Sequence, residues 1–143
     1  MNVHKKIEIS SKSLNKIIMH SETAYPTECC GLLLREINSI GKISDIKIME
    51  NKAKLDKHKR YEIDPVAYIR AETELNTKGY EIIGFYHSHP NNPPKPSSID
   101  KANAWPDYLY LITSVYNHKV KEKRIWRYNH NNKEFEEEEL NCL

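Results

Sequence analysis

The sequence predicts a mixed α+β fold, because segments with helical and strand periodicity follow one another along a chain of one-domain length. One segment places apolar residues at helical spacing and a second has the start and stop residues of a helix, whereas several shorter runs are continuously apolar or alternate with polar residues. A chain of 143 residues buries enough surface for a core without disulfides but does not hold two full domains. We therefore expect residues 1–143 to form a single domain.

The chain is predicted to begin with a strand and an amphipathic helix. An alternating stretch at 3–9 precedes a helix at 10–25, which a serine can cap at its start and which Pro26 ends. The apolar face of this helix carries Leu14, Ile17, Ile18, Ser21 and Tyr25. The apolar run at 29–34 and the segment 37–49 then predict two paired strands.

The middle of the chain is predicted to hold a loop, a second helix and a buried strand. The stretch 51–64 is basic and lacks apolar periodicity, so we interpret it as a loop with a solvated surface. Asp64 and Pro65 are typical of the N-cap and first position of a helix, which runs to about Lys78 with Gly79 as its C-terminal stop. The apolar residues of 80–89 favour a buried strand.

The last third is predicted to contain a short helix and three more strands. A proline-dense loop leads to the helix, which starts at Ser97 and which Pro106 would end. Apolar or alternating runs at 108–115, 123–128 and 135–140 predict the strands, with a turn of asparagine and histidine between the last two.

Composition excludes several classes of function. The 22 basic and 20 acidic side chains give a net charge of +2, so no strong basic field favours nucleic acid or a membrane surface as partner. No apolar run is long enough to span a bilayer and the N-terminus has no signal-peptide core, so we expect a cytoplasmic protein. The three cysteines suit neither a disulfide framework nor a zinc knuckle.

The segment from residue 87 to residue 100 carries the chemistry. If the chain is extended up to His89, then His87 and His89 emerge on one face at the end of a buried strand, because side chains two apart share a face. The proline-rich loop can turn the chain back and bring Asp100 toward them. Two imidazoles and one carboxylate make a three-ligand set that leaves a fourth position for water, as in catalytic zinc sites.

The same residues also have simpler interpretations. Asp100 lies three residues after Ser97, so the pair can be a capping box that only starts the short helix. Two histidines near a strand end can be ordinary polar residues of an edge. The spacing of the complete set nevertheless favours chemistry over a chance arrangement.

These residues resemble the signature of the JAMM (MPN+) metalloprotease domain. The family pattern has a glutamate upstream, then His-[Ser/Thr]-His, seven residues, serine, two residues and aspartate. In this chain the two histidines of the pattern are His87 and His89, its serine is Ser97 and its aspartate is Asp100. Glu28 stands before the run Cys-Cys-Gly-Leu-Leu-Leu, which looks like the family's upstream element. The likeness covers roughly residues 7–128 and extends to small stand-alone prokaryotic members of the Mov34/MPN/PAD-1 type.

The resemblance implies a fold, a metal and a mechanism. The fold would be the MPN (cytidine-deaminase-like) fold, a curved mixed β-sheet flanked by helices. One Zn²⁺ per chain would be held by His87, His89 and Asp100. Glu28 would accept the proton of the attacking water, and Ser97 would stabilise the developing oxyanion. Without the family, Glu28 could be only a polar residue at the entry of a strand.

The resemblance further implies a zinc-dependent peptidase or isopeptidase. Similar small prokaryotic proteins imply cleavage after the C-terminal Gly-Gly of a ubiquitin-like modifier or a sulfur-carrier protein. The basic stretch 51–62 is the one place where charge could help hold such a tail. The sequence leaves a homodimer open and does not reveal the natural substrate or its linkage.

Two other classes of function compete with this interpretation. Many MPN domains are non-catalytic scaffolds that bind proteins, although these usually lack the metal ligands. A thiol enzyme could use Cys29 or Cys30, but free cysteines at the start of an apolar strand are more often core residues. Trp105 and Tyr86 could flank a cleft or pack in the core. Arg35 stands where many relatives have a glycine, which puts the local strand geometry in question.

Overall fold

The computed structural model describes residues 6–143, and over this range the chain forms eight strands and three helices. In chain order they are β1 (Lys6–Ile9), α1 (Ser11–Ala24), β2 (Cys30–Glu36), β3 (Lys42–Ile43), β4 (Asp45–Met49), α2 (Pro65–Thr77), β5 (Tyr80–Pro90), α3 (Ser98–Ala102), β6 (Leu109–Tyr116), β7 (Lys119–Asn129) and β8 (Glu134–Cys142). The predicted first strand is present from Lys6 onward, and its part at 3–5 lies outside the described residues.

All eight of these strands belong to one mixed sheet with the order β3-β1-β8-β7-β6-β5-β2-β4. β1 runs parallel to β3 and β8, β5 runs parallel to β6, and the other neighbours are antiparallel. Only Ser44 separates the two edge strands in sequence, so the sheet curls until it is nearly closed. The predicted α+β class with a curved mixed sheet is confirmed.

Helices cover both faces of the sheet and divide the core into two parts. On one face α1 packs Ile17 near Leu33, and on the other α2 packs Tyr68 near Leu32. Neighbouring strand residues point to opposite faces, so Leu32 and Leu33 serve different cores. The central strand β5 therefore presents its side chains alternately to α1 and to the face that carries α2.

Capping side chains set the starts of α1 and α2 as the sequence predicts. The Ser10 Oγ accepts a hydrogen bond from the Ser13 amide at 3.1 Å, and the Asp64 carboxylate accepts one from the Ala67 amide at 3.0 Å. Gly79 follows α2 with a φ of +88°, a conformation that suits glycine. None of the helices within residues 6–143 combines the length and the apolar character needed to cross a bilayer.

The predicted start of the seventh strand at residue 123 is wrong. β7 begins at Lys119, because Asn117 and His118 both have positive φ and form a two-residue hairpin turn after β6. The residues at 121–123 are exposed and charged, so their side chains carry no apolar pattern that could mark a strand. Backbone pairing with β6, rather than burial, makes this part of the strand.

Two other element bounds differ from the predicted ones. The segment 37–49 contains two strands, since Ile43 pairs with β1 whereas β4 pairs with β2. The short helix α3 ends at Ala102, four residues before Pro106, because Asn103 forms its C-cap and already leaves the helical backbone conformation.

We expect Gly84→Ala to destabilise the fold by about 1–3 kcal/mol, the usual cost of inserting a methyl group into a tightly packed region. Gly84 pairs with Leu109 of β6, and a Cβ at this position would overlap the Leu109 carbonyl oxygen. Denaturant unfolding followed by tryptophan fluorescence measures the change.

Gly41→Asn is the matched control for this prediction. Gly41 has a φ of +71° with open space around it, and asparagine tolerates this backbone conformation. We expect a change within about 0.5 kcal/mol for a surface substitution of this kind. Equal losses in the two variants would contradict the packing argument.

Candidate metal centre

His87 and His89 lie side by side near the end of β5, on the face that also carries α2. Both side chains are buried, with relative exposures of 0% and 5%. Their Nε2 atoms are 3.1 Å apart. Ser88, between them, points to the other face, where its hydroxyl accepts a hydrogen bond from the Cys29 amide at 2.8 Å. Strand alternation thus aims both imidazoles at one point.

Asp100 reaches the same point from the first turn of α3. Its Oδ2 atom lies 3.1 Å from the Nε2 atom of His87 and 3.1 Å from that of His89. The proline-rich loop folds back so that the Pro93 carbonyl accepts a hydrogen bond from the Nδ1 of His89 at 2.8 Å. The loop is also tied to β7, since the Trp126 indole donates to the Pro94 carbonyl at 3.0 Å.

The capping box that the sequence suggested is present together with this cluster. Ser97 Oγ accepts from the Asp100 amide at 3.0 Å, and the Ser97 amide donates to the Asp100 Oδ2 at 2.8 Å. Ser97 is half-buried, and its own hydroxyl hydrogen stays available for a further acceptor. The helix cap therefore holds the Asp100 carboxylate in place and does not compete with a role at the site.

The three ligand atoms fit a metal ion of the size and preference of zinc. For four ligands at about 2.0–2.1 Å from the metal, neighbouring ligand atoms of a tetrahedron lie about 3.3–3.4 Å apart, close to the observed 3.1 Å. Because the Pro93 carbonyl only accepts, the Nδ1 of His89 carries the proton when the ring is neutral, and its Nε2 lone pair is free for a metal. His87, His89 and Asp100 can thus hold a metal ion.

The electrostatics of the cluster favour a cation. Burial opposes the charge on Asp100, but neighbouring His87 and His89 outweigh burial and hold the pKa of the carboxyl well below its usual range. Burial likewise opposes the charge on His89, and its hydrogen bonds to Asp100 and to the Pro93 carbonyl outweigh burial and raise its pKa. The Asp100 carboxylate therefore remains anionic although its side chain is largely buried.

Glu28 lies beside the histidines, two residues before β2. Cys30 pairs with His87 in antiparallel register, and two further residues along this register place Glu28 next to His89. The Glu28 side chain is 5% exposed, and its Oε1 atom is buried without a hydrogen-bond partner among residues 6–143. Burial raises the pKa of Glu28 to about 7, although the nearby His87 and His89 act in the opposite direction. A buried, unpartnered carboxyl of this pKa can accept and return a proton near neutral pH.

Tyr61 covers His87, a contact that the sequence analysis missed. The two rings stack with centroids 4.5 Å apart and an interplanar angle of 29°. The Nδ1 atom of His87 is buried and has no partner within the described part of the chain, so stacking takes the place of a hydrogen bond in orienting this ring. A single aromatic residue in an otherwise basic, polar segment was the available signal in the sequence.

A cleft of about 540 Å³ opens directly beside Asp100. Its walls combine aromatic and aliphatic side chains from the loop before α2, from α2, β5 and α3, and from the segment after α3, among them Tyr61, Ile69, Phe85, Ile99 and Trp105. Ile69 and Trp105 are exposed by 59% and 43%, so the cleft presents apolar surface to the solvent. Of the ligand cluster, Asp100 lies on the wall of this mostly apolar cleft.

The sequence left open whether Trp105 and Tyr86 flank a cleft. Trp105 lines this cleft and Tyr86 does not, so the interpretation of Tyr86 as a cleft residue is wrong. Tyr86 points to the opposite face of β5, is completely buried beneath α1, and pairs its hydroxyl with the His20 Nδ1 at 2.8 Å. Gly31 on the neighbouring strand makes room for it, because a Cβ there would overlap the tyrosine ring.

Cys29, Cys30 and Arg35 are not members of the ligand cluster. Cys29 and Cys30 are buried, unpaired thiols, and burial raises the pKa of Cys30 to about 12 and also raises that of Cys29. Neither thiol has the thiolate character that a nucleophile needs. Arg35 forms an ion pair with Glu81 at the far end of β2 from Glu28, so it leaves the geometry of the cluster undisturbed.

Two curated proteins illustrate the sequence likeness. The chain is 29% identical over 119 residues to a desampylase of Haloferax volcanii, covering 76% of this chain and 81% of that protein. It is 30% identical over 122 residues to the human deubiquitinase MYSM1, covering 78% of this chain but only 15% of that much longer protein.

Solved structures show the same fold, and a family model shows the relationship. The solution structure of DSY2949 from Desulfitobacterium hafniense matches with a TM-score of 0.80 and 25% identity, covering 96% of this chain and 92% of that one. The crystal structure of AF2198, a JAB1/MPN domain protein from Archaeoglobus fulgidus, matches with a TM-score of 0.59 and 18% identity, covering 96% and 98%. The model of the Prok-JAB family matches residues 10–129. The chain has the JAB/MPN fold and belongs to Prok-JAB, the prokaryotic homologs of the JAB domain.

Proposed function

We propose that residues 1–143 form a single JAMM/MPN+ metalloprotease domain that hydrolyses an amide bond with the help of zinc. One observation carries the proposal: three mutually close ligand atoms converge beside the buried, unpartnered carboxyl of Glu28. Peptidase or isopeptidase activity accounts for this combination because amide hydrolysis needs both an electrophile and a proton carrier. The names of two relatives, a desampylase and a deubiquitinase, support it.

The metal would be held by the Nε2 atoms of His87 and His89 and by the Oδ2 atom of Asp100. Zinc bound there would supply Lewis acidity, which polarises a carbonyl and makes water nucleophilic near neutral pH. Asp100 is fixed for this task by the Ser97 amide, and His89 by the Pro93 carbonyl. The ligands are thus oriented before any ion binds.

Glu28 would move the proton of the reaction. Its carboxylate accepts a proton from the attacking water as the new carbon–oxygen bond forms, and returns it to the nitrogen as the carbon–nitrogen bond breaks. Burial of Glu28 raises its pKa to about 7, so that the carboxyl can both accept and release a proton near neutral pH. Ser97, anchored by the Asp100 amide, would donate its hydroxyl hydrogen to the developing oxyanion.

The proposed substrate is a ubiquitin-like modifier or sulfur-carrier protein whose C-terminal Gly-Gly tail is cut after the last glycine. An extended tail could lie along the apolar cleft beside Asp100, and glycines let a backbone approach a buried site closely. The exposed basic residues of 51–62 would meet an acidic partner rather than nucleic acid or a membrane. A homodimer stays a prediction.

We expect Glu28→Gln to lower the turnover number by about 10²–10⁴-fold, because the variant keeps the shape of the side chain but loses the proton carrier. Cleavage of a Gly-Gly-terminated ubiquitin-like fusion by zinc-loaded protein measures the effect. Zinc content should stay unchanged. Glu36→Gln, at the exposed far end of β2, is the matched control and should cleave like wild type. Undiminished cleavage by Glu28→Gln would remove Glu28 as the base.

His89→Ala should abolish stoichiometric zinc binding. Loss of a residue that only hydrogen-bonds to a metal ligand typically lowers metal affinity by roughly 10–100-fold. Loss of the ligand itself should lower zinc affinity further. Elemental analysis after dialysis and competition with a zinc chelator measure it. His130→Ala removes an exposed histidine on a distant turn and should leave zinc content at one ion per chain. Full zinc occupancy in His89→Ala would show that the ligand assignment is wrong.

Ser97 has two roles that substitutions can separate. Ser97→Ala should lose about 1 kcal/mol of stability as a helix cap and about 100-fold or more in turnover as an oxyanion donor. Ser97→Asp should keep the cap but not the donor, so its stability should recover while turnover stays low. Thermal unfolding and steady-state kinetics measure the two effects. Recovery of turnover in Ser97→Asp would contradict the oxyanion role.

A further inference from the structure

The basic stretch 51–62, here called the basic loop, is closed on itself rather than loosely solvated. It contains five basic and two acidic side chains, and most of its residues are exposed. Its two ends meet, because the Lys52 amide donates to the Glu62 carbonyl at 2.7 Å. The loop therefore has a fixed base next to the metal cluster and an exposed, charged tip.

One side chain, that of Asn51, fastens this base. Its Nδ2 donates to the carbonyls of Glu28 and Arg60 at 3.0 and 3.1 Å. Its Oδ1 accepts from the amides of Ala53 and Glu62 at 3.0 and 3.1 Å. All four hydrogen-bonding positions of the amide are in use, and only this orientation matches two carbonyls with two N–H groups.

The same network fixes the backbone of Glu28 on both sides of its Cα. The Glu28 amide donates to the Lys57 carbonyl of the basic loop at 2.7 Å, while its carbonyl accepts from Asn51. The next amide, that of Cys29, donates to Ser88 between the two histidines. Since the Glu28 carboxyl has an unpartnered Oε1, these backbone bonds are what set its distance from the cluster.

Asn51 also holds the residues on either side of Tyr61. Arg60 is held through its carbonyl and Glu62 through its amide, so the Tyr61 backbone is fixed between two bonds to one side chain. The Tyr61 ring in turn stacks on His87. A single amide thereby connects the base of the loop with two groups that face the metal cluster from different directions.

We propose that Asn51 is a positioning residue, which holds the Glu28 carboxyl and the Tyr61 ring at the metal cluster through its four hydrogen bonds. Its effect on turnover rests on the proposed hydrolase function, whereas its effect on the Glu28 backbone does not.

Asn51→Asp tests this proposal with almost no change in volume. The carboxylate can still accept from Ala53 and Glu62, but its second oxygen faces the Glu28 and Arg60 carbonyls without a hydrogen to donate. The matched control is Asn129→Asp. Asn129 also ties a turn together, accepting from the Asn131 amide and donating to Glu136, on a hairpin outside the candidate site.

In zinc-loaded Asn51→Asp we expect the Glu28 amide to exchange with solvent at least about tenfold faster by NMR. With the Gly-Gly-terminated fusion we expect kcat to fall about 10–100-fold, the usual effect of an outer hydrogen-bond partner, at nearly unchanged KM and zinc content. Asn129→Asp should change none of these quantities. If the wild-type protein does not cleave the fusion, the proposed hydrolase function is wrong. The exchange rate of the Glu28 amide then decides by itself whether Asn51 positions Glu28.

Three outcomes would overturn the proposal. Wild-type exchange of the Glu28 amide in Asn51→Asp would show that the bonds do not hold this residue. A fall in kcat matched by an equal loss of zinc would indicate general loss of structure. Should Asn51→Asp not fold, Asn51→Ser removes the same donors without adding charge, and failure of both to fold would make Asn51 a stability residue only.

Discussion

The antiparallel pairing of β2 with β5 is the constraint on which the candidate site depends. Cys30 opposite His87 brings the chain just before β2 alongside His89, and thus brings Glu28 to the imidazoles. A slip of one residue would turn His87 and His89 into the core beneath α1 and expose Tyr86 on the other face. Gly31 secures this register, since a methyl group there would collide with the Tyr86 ring on β5. Gly84 plays the corresponding part on the other side of β5, where a methyl group would collide with Leu109 of β6.

Burial of polar and ionisable side chains next to this strand pair costs electrostatic free energy. His87, His89 and Glu28 are buried polar side chains, and burying such groups is unfavourable unless each finds a partner. Hydrogen bonds within the cluster, to the Pro93 carbonyl and to the Ser97 amide offset part of the cost. The Oε1 of Glu28 and the Nδ1 of His87 remain unpartnered among the described residues, which is typical of sites shaped for chemistry rather than stability.

Local patterns in the sequence predicted the fold class, most elements and the meeting of the two histidines with Asp100. Alternation along a strand and helix capping act over a few residues, so they can be read without the structure. Glu28 entered only through the family resemblance, because its approach to His89 depends on pairing between segments about 60 residues apart. The roles of Asn51 and Tyr61 were not predicted from the sequence. Asn51 acts through hydrogen bonds to a distant carbonyl and Tyr61 through ring stacking, and neither contact leaves a pattern in a basic segment.

We infer that His87, His89 and Asp100 hold zinc directly beside Glu28. Anomalous diffraction at the zinc edge, from crystals of the zinc-loaded protein, tests it most directly. We expect one peak per chain, about 2.0–2.2 Å from both Nε2 atoms and an Asp100 carboxylate oxygen, with the Glu28 carboxyl next to the vacant coordination position. A peak at the cysteines, or a Glu28 carboxyl turned away from the metal, would contradict it.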